Sequence, residues 1–211
     1  MAEHTQTRVA PGTLVGEHLA VLRDARTSNS LFRRTAVALT WLVLADALRD
    51  LEARDATVET PVATAPVTRM ARRLTVVPVL RAGLVMLEPA LALLPEGTRV
   101  GFLGMARDEQ THRPQVYLER VPHDLEGEDV LLLDVMIATG GSAADALDEI
   151  ARRNPASMHL AGIIAAPEGL ALLAERHPGV QVTVAAVDDH LNESAFIVPG
   201  LGDAGDRLYS P

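Results

Sequence analysis

Val130-Leu131-Leu132-Leu133-Asp134-Val135-Met136-Ile137-Ala138-Thr139-Gly140-Gly141-Ser142 is the stretch on which the fold turns. An apolar run ends on the carboxylate of Asp134, passes through small residues and opens a helix at Thr139-Gly140-Gly141-Ser142. Ala143, Ala144, Ala146, Leu147 and Ile150 give that helix an apolar face, with Asp145, Asp148 and Glu149 early in it, where the dipole favours acids. Such a strand–loop–helix builds a pocket for a sugar phosphate. The carboxylate can hold sugar hydroxyls. The glycines let backbone N–H groups close around a phosphate whose charge the helix N-terminus favours. The bland alternative is an ordinary tight connection between strand and helix. No Walker loop, G-x-x-x-x-G-K-[ST], occurs, and the chain has no lysine, so a phosphate site here must use backbone amides, hydroxyls and Arg.

Alternation of strands and helices surrounds this unit. Leu74–Leu80 reads as a strand, Ala82–Leu94 as a helix closed by Pro95-Glu96-Gly97, and Arg99–Met105 as a strand. After Asp129–Asp134 and its helix to Arg153 come a strand at Met158–Ala166, a helix at Pro167–Arg176 and a strand at Val180–Val187. The expected class is α/β, a mainly parallel sheet flanked by helices, with ligands at the strand C-terminal ends. Residues 1–211 read as one domain. In it, 1–12 form a flexible tail, 13–73 two helices and short edge strands around prolines, 74–187 the core, and 188–211 a Gly- and Asp-rich functional loop. The polar segment 106–123 reads as a projecting hairpin or mobile arm, a candidate lid.

Composition narrows the function. With 48% hydrophobic but only 3% aromatic residues, the core must be aliphatic, as suits a covered parallel sheet. There is no cysteine, which excludes disulfides and thiolate chemistry. A net charge of −9 argues against a broad nucleic-acid surface. A polar N-terminus and the lack of a long apolar run make the cytoplasm the expected compartment and a membrane partner unexpected. The seven histidines show no ligand spacing, so no protein-held transition metal is expected.

Other positions carry chemistry. Arg81 ends the strand Val76–Leu80 beside Ala82-Gly83, well placed for an anion, or it is a surface cation paired with Glu88. Arg107 ends the next strand, as an anion contact or as part of a solvated charge cluster. Gly200, Gly202 and Gly205 satisfy G-x-G-x-x-G. With six residues after it, the motif leaves no room for the helix and acidic partner of a dinucleotide site. A Gly-rich loop with a central Asp203 suits close backbone approach to a small flat ligand. Asp188 and Asp189 read equally as acid/base groups or as loop and cap residues.

As a set, Arg81-Ala82-Gly83-Leu84, Gly104-Met105-Ala106-Arg107-Asp108-Glu109, Asp134–Ser142, Ala165-Ala166-Pro167-Glu168-Gly169, Leu191-Asn192-Glu193 and Val198-Pro199-Gly200-Leu201-Gly202-Asp203-Ala204-Gly205-Asp206-Arg207 resemble the uracil phosphoribosyltransferases over about residues 14–209. The resemblance implies a type I phosphoribosyltransferase fold with a C-terminal hood. It implies transfer from 5-phosphoribosyl 1-diphosphate (PRPP) to uracil, giving UMP and pyrophosphate, with Mg²⁺ carried by PRPP. It further implies that Thr139, Gly140, Gly141 and Ser142 cradle the 5′-phosphate, within a PRPP-binding stretch that also takes in Val135, Met136, Ile137 and Ala138. Asp134 would stand by the ribose hydroxyls, Arg81 and Arg107 would hold the pyrophosphate, and Asp203 would meet the Mg²⁺–PRPP side. Asp134 and Arg107 are the implied catalytic residues. Ile197, Gly202 and Ala204, with Asp203, would read the base. A homodimer or larger homo-oligomer is implied as well.

Departures from the family pattern are visible. Val135 stands for its Pro, Ile137 for its Leu, Ala106 for its Tyr, Val85 for its Gly and Phe196 for a Tyr. Glu17-His18 and Ala45-Asp46 replace its His-Lys and Tyr-Glu pairs, and Leu208-Tyr209-Ser210 its Phe-Gly-Thr. Val85 adds bulk beside the pyrophosphate loop in this reading. A modified pyrimidine or another small azole is the alternative base. A PRPP-sensing RNA-binding regulator is the alternative of another class, and the charge counts against it.

Overall fold

The computed structural model describes residues 6–107 and 114–209. In chain order the strands and helices are β1 (Gln6–Val9), α1 (Thr13–Arg23), α2 (Asn29–Ala47), β2 (Ala53–Glu59), β3 (Thr64–Met70), β4 (Leu74–Leu80), a 3₁₀ turn at Ala82–Met86, α3 (Leu87–Leu93), β5 (Arg99–Val100), β6 (Phe102–Arg107) and β7 (Pro114–Arg120). Then follow β8 (Asp129–Leu133), β9 (Met136–Ile137), α4 (Gly141–Ala151), β10 (Ser157–Ala165), α5 (Pro167–Arg176), β11 (Gln181–Val187), β12 (His190–Leu191), β13 (Ile197–Val198) and α6 (Ala204–Tyr209).

The main sheet runs β1-β11-β10-β8-β4-β6-β7, with β5 beside β4 and β9 beside β10. Its pairings are parallel except β6 with β7. Leu131 and Leu133 pack with α1, α2, α3 and α6 on one face, whereas Val130 and Leu132 pack with α4 and α5 on the other. That period of two along a wholly buried strand is why β8 reads as a continuous apolar run: both of its faces are covered.

Several elements differ from expectation. Residues 6–9 are not a loose tail: Gln6–Val9 adds a parallel edge strand to β11, and Ala10 is buried. Main-chain pairing supplies the fixation that a four-residue polar segment lacks the apolar content to announce. The expected helix 82–94 is a 3₁₀ turn followed by a short α-helix. The strand 99–105 divides at Gly101, whose Cβ would stand 3.1 Å from Val121 Cα. β2 and β3 form a hairpin of their own instead of edging the main sheet. The segment 106–123 is half sheet, since β7 pairs with β6, while 108–113, the tip of the candidate lid, lies outside the described residues. Room does exist for a helix at the G-x-G-x-x-G motif: α6 starts at Ala204, capped by the Asp203 carboxylate, which accepts from Asp206 N–H at 2.9 Å.

Candidate active site

Strands β4, β6 and β8 deliver their C-terminal ends to one cavity of about 200 Å³. Arg81, Asp134, Met136, Ile137, Ala138, Thr139, Gly140, Gly141 and Ser142 line it, joined by Val79, Leu80, Ala82, Met105 and Ala143. The peptide between Leu80 and Arg81 is cis. Arg81 is exposed at the mouth and has no ion-pair partner among the described residues, so the pairing with Glu88 is not made.

The loop Thr139–Ser142 has a shape that only its glycines permit. Gly140 sits at φ +79 as the N-cap of α4, and a Cβ there would stand 2.6 Å from Gly169 O. In return, a Cβ on Gly169 would stand 2.4 Å from Ala138 O. Two backbones therefore touch, one from the loop and one from the first turn of α5. Thr139 Oγ1 accepts from Gly141 N–H at 3.5 Å. The result is a fixed concavity of main-chain donors at the N-terminus of an 11-residue helix, the arrangement that receives a phosphate.

Asp134 follows β8 directly, and its backbone carbonyl lies against Gly162, where a Cβ would approach to 2.8 Å. Burial pushes its carboxyl up to about 7, against the backbone N–H groups of Met136 and Val135, which favour the charged form. The family's proline could not supply the Val135 donor. Val135 itself lines no part of the cavity: its side chain is wholly buried in the core, and only its backbone N–H reaches the Asp134 carboxylate. Val85, in the turn after Arg81, packs in the core.

Arg107 ends β6 opposite Pro114, and its side chain lies outside the described residues. The hood residues Ile197, Gly202, Asp203 and Ala204 do not line the phosphate cavity. Asp203 comes near Arg81 by way of Gly205, where a Cβ would lie 3.2 Å from the Asp203 carboxylate and 3.9 Å from the Arg81 guanidinium. Ile197 and Ala204 are buried, and Gly202 is exposed at φ +77. Asp188 has its carboxylate taken up by Arg23 and by Gly200 N–H, the contacts of a loop-holding residue.

Sequence reasoning gave no role to Gly169, to Glu168, whose Oε1 accepts from Leu191 N–H at 2.9 Å, or to Arg207. The signal for Gly169 was present in Pro167-Glu168-Gly169, a proline-led helix start with a glycine where Ala would propagate better.

A family profile described as "Uracil phosphoribosyltransferase" matches residues 9–211. The chain belongs to the uracil phosphoribosyltransferase family. It is similar to the uracil phosphoribosyltransferase of Corynebacterium glutamicum (strain R), with 45% identity over 198 residues, 94% of this chain and 93% of that one. It resembles that of Corynebacterium diphtheriae at 43% over 206 residues, 98% of this chain and 97% of the other. Among solved structures, the AQ2163 protein from Aquifex aeolicus is 36% identical and superposes with a TM-score of 0.91, covering 97% of this chain and 98% of that one. Family membership thus rests on nearly the whole length, and the strand order around the cavity belongs to a fold seen in an experimental structure.

Proposed function

We propose that this protein transfers the 5-phosphoribosyl group of PRPP to uracil, releasing pyrophosphate and forming UMP in pyrimidine salvage. The observation that carries this reading is a cavity in which Arg81, without an ion pair among the described residues, the Asp134 carboxylate and the Thr139–Ser142 loop converge, in a member of this family.

The 5′-phosphate sits on the backbone donors of Thr139–Ser142 at the start of α4, with Ser142 and Thr139 adding hydroxyls. Asp134, in the same cavity at the end of β8, accepts from the ribose hydroxyls. The C1–O bond to the diphosphate lengthens toward an oxocarbenium-like sugar, and the ionised Asp134 favours that positive charge. Arg81, with Arg107 from the neighbouring strand, takes the negative charge collecting on the departing diphosphate, and Mg²⁺ enters as part of the substrate, on PRPP. Uracil N1 bonds to C1 as the C1–O bond breaks, and its N1 proton passes to the departing diphosphate or to water. Ile197, Gly202 and Ala204 present the base, largely through backbone groups. Met105 of β6 closes one side of the cavity, and exclusion of water there protects PRPP from hydrolysis. Half-exposed Trp41 and Leu93 leave apolar surface on α2 and α3 for a second copy, which supports a homo-oligomer, with the cytoplasm as its compartment.

Steady-state assays with a panel of bases test the reading. UMP formation with uracil, dependent on PRPP and Mg²⁺, is the expected result. A purine or a non-pyrimidine azole exceeding uracil tenfold in kcat/KM would contradict it.

A further inference from the structure

The hood is held from below by charges that touch neither the phosphate cavity nor its loop. Arg23, in the last turn of α1, and Asp188, just past β11, lie 165 residues apart in the chain. Arg23 Nη2 donates to Asp188 Oδ1 at 2.5 Å, and Nη1 donates to Oδ2 at 2.8 Å. The same Nη1 donates to Gly200 O at 2.8 Å, while Gly200 N–H donates to Asp188 Oδ2 at 2.8 Å. Both polar backbone groups of Gly200 are thereby held by one ion pair. The pair is secluded, with the Asp188 side chain 3% and the Arg23 side chain 26% exposed.

Gly200 is the pivot of the loop. It has φ +64, follows the cis peptide Val198–Pro199 by one residue, and a Cβ there would stand 2.2 Å from Ile197 O. The turn from Ile197 to Gly200 closes on itself and cannot shift without moving the Asp188–Arg23 pair. Beyond it, Arg207 donates to Leu201 O at 2.9 Å and to Asp24 O at 2.8 Å, and also to Leu22 O, so the end of α1 is the floor under both halves of the loop. A buried ion pair is a poor source of net stability, because desolvation offsets its attraction; its better attested use is to fix one arrangement among several.

We propose that Arg23 and Asp188 are positioning residues for base recognition: their paired charges fix Gly200, and through it the height of Ile197–Ala204 above the ribosyl centre. Their substitution therefore changes affinity for the planar base and leaves affinity for PRPP intact. This rests on the reading that Ile197–Ala204 take the base. Arg23 and Asp188 touch no reacting atom.

Initial-rate kinetics on Arg23→Gln, Asp188→Asn and Arg23→Lys, with each substrate varied in turn, test the proposal, because KM does not depend on the fraction of enzyme folded. For Arg23→Gln and Asp188→Asn, KM for uracil should rise roughly tenfold or more, as small misplacements of binding groups do, while KM for PRPP stays within about twofold. Arg23→Lys keeps the charge but loses the fork that reaches Asp188 and Gly200 together, so it should fall between. Gly202→Val, placed on the loop itself, reads the base assignment separately. A raised uracil KM in Gly202→Val with unchanged uracil KM in the Arg23 and Asp188 variants would overturn the positioning role alone. Unchanged uracil KM in all of them would overturn the base assignment and the proposal with it. A loss confined to kcat, or an equal rise in both KM values, would reduce the pair to a structural role and overturn the proposal.

Discussion

At the scale of the residue, Asp134 carries the clearest electrostatic signature. Its carboxyl titrates near 7 when folded against 3.8 for an ordinary aspartate, because burial disfavours the charge. The sign follows directly. Between those two pH values the folded state holds a proton that the unfolded chain has lost, so the cost of burying the carboxylate is absent below about pH 4 and fully felt above about pH 7. Asp134→Asn should therefore raise unfolding stability by on the order of 2–4 kcal/mol at pH 8 and by little at pH 4. Urea unfolding at the two pH values measures this, and a gain independent of pH would contradict it. The same variant should lose at least tenfold in kcat/KM, since the developing sugar cation loses its partner. Arg81 is the complementary case, an exposed cation at the cavity mouth that makes no ion pair among the described residues. Arg81→Gln should cost about 1.5–3 kcal/mol of PRPP binding, roughly ten- to a hundredfold in KM for PRPP, with the uracil KM little changed. For Arg107→Ala the expectation is a loss on the order of 2–4 kcal/mol in transition-state stabilisation, and a kcat/KM within about threefold of the parent would exclude that role. That Asp134 and Thr139–Ser142 line one cavity was legible in the sequence because they follow a plain apolar strand, whereas Arg81 at its strand end was left open between an anion contact and a pairing with Glu88.

At the scale of the element, the loop Thr139–Ser142 is as much a product of α5 as of its own sequence. Gly140 and Gly169 allow two backbones to meet, and neither tolerates a methyl group without moving the other. Gly169→Ala is expected to displace Ala138–Gly140 and lower kcat/KM for PRPP roughly a hundredfold, with uracil KM less affected. Near-normal PRPP kinetics in this variant would mean that the loop has slack that the packing does not show. Sequence reasoning located the helix Pro167–Arg176 but not this contact, since periodicity reports which face of a helix is apolar and not what its first turn touches. The same limit explains β1: a four-residue strand whose residues are mostly polar carries no hydrophobic alternation, and its place is set by pairing with β11 across the chain. The core strands β4, β8, β10 and β11 were legible to within a residue or two, because strands covered on both faces must be continuously apolar.

At the scale of the whole molecule, long-range arginine contacts join the N-terminal helices to the C-terminal hood. Arg207 donates to carbonyls of Leu22, Asp24 and Leu201 and lies 4.2 Å from the centroid of the Phe32 ring, while Arg33 donates to Leu208 O at 2.6 Å. Arg207→Ala should destabilise the fold by about 2–3 kcal/mol, as charged donors to partly buried carbonyls are lost, and thermal unfolding checks it. None of these contacts was visible in advance, because residues that meet only in three dimensions leave no spacing in the sequence. The resemblance gave the family and the order of its motifs, and the fold shows why that order works: motifs far apart in the chain arrive at adjacent strand ends. The central claim is that the cavity of Arg81, Asp134 and Thr139–Ser142 serves ribosyl transfer to uracil. Pyrophosphate release from PRPP and Mg²⁺ by the purified protein, with uracil and without any base, tests it most directly. The account predicts uracil-dependent release with an equal amount of UMP formed, while release that is independent of uracil, or no release from a protein that binds PRPP, would contradict it.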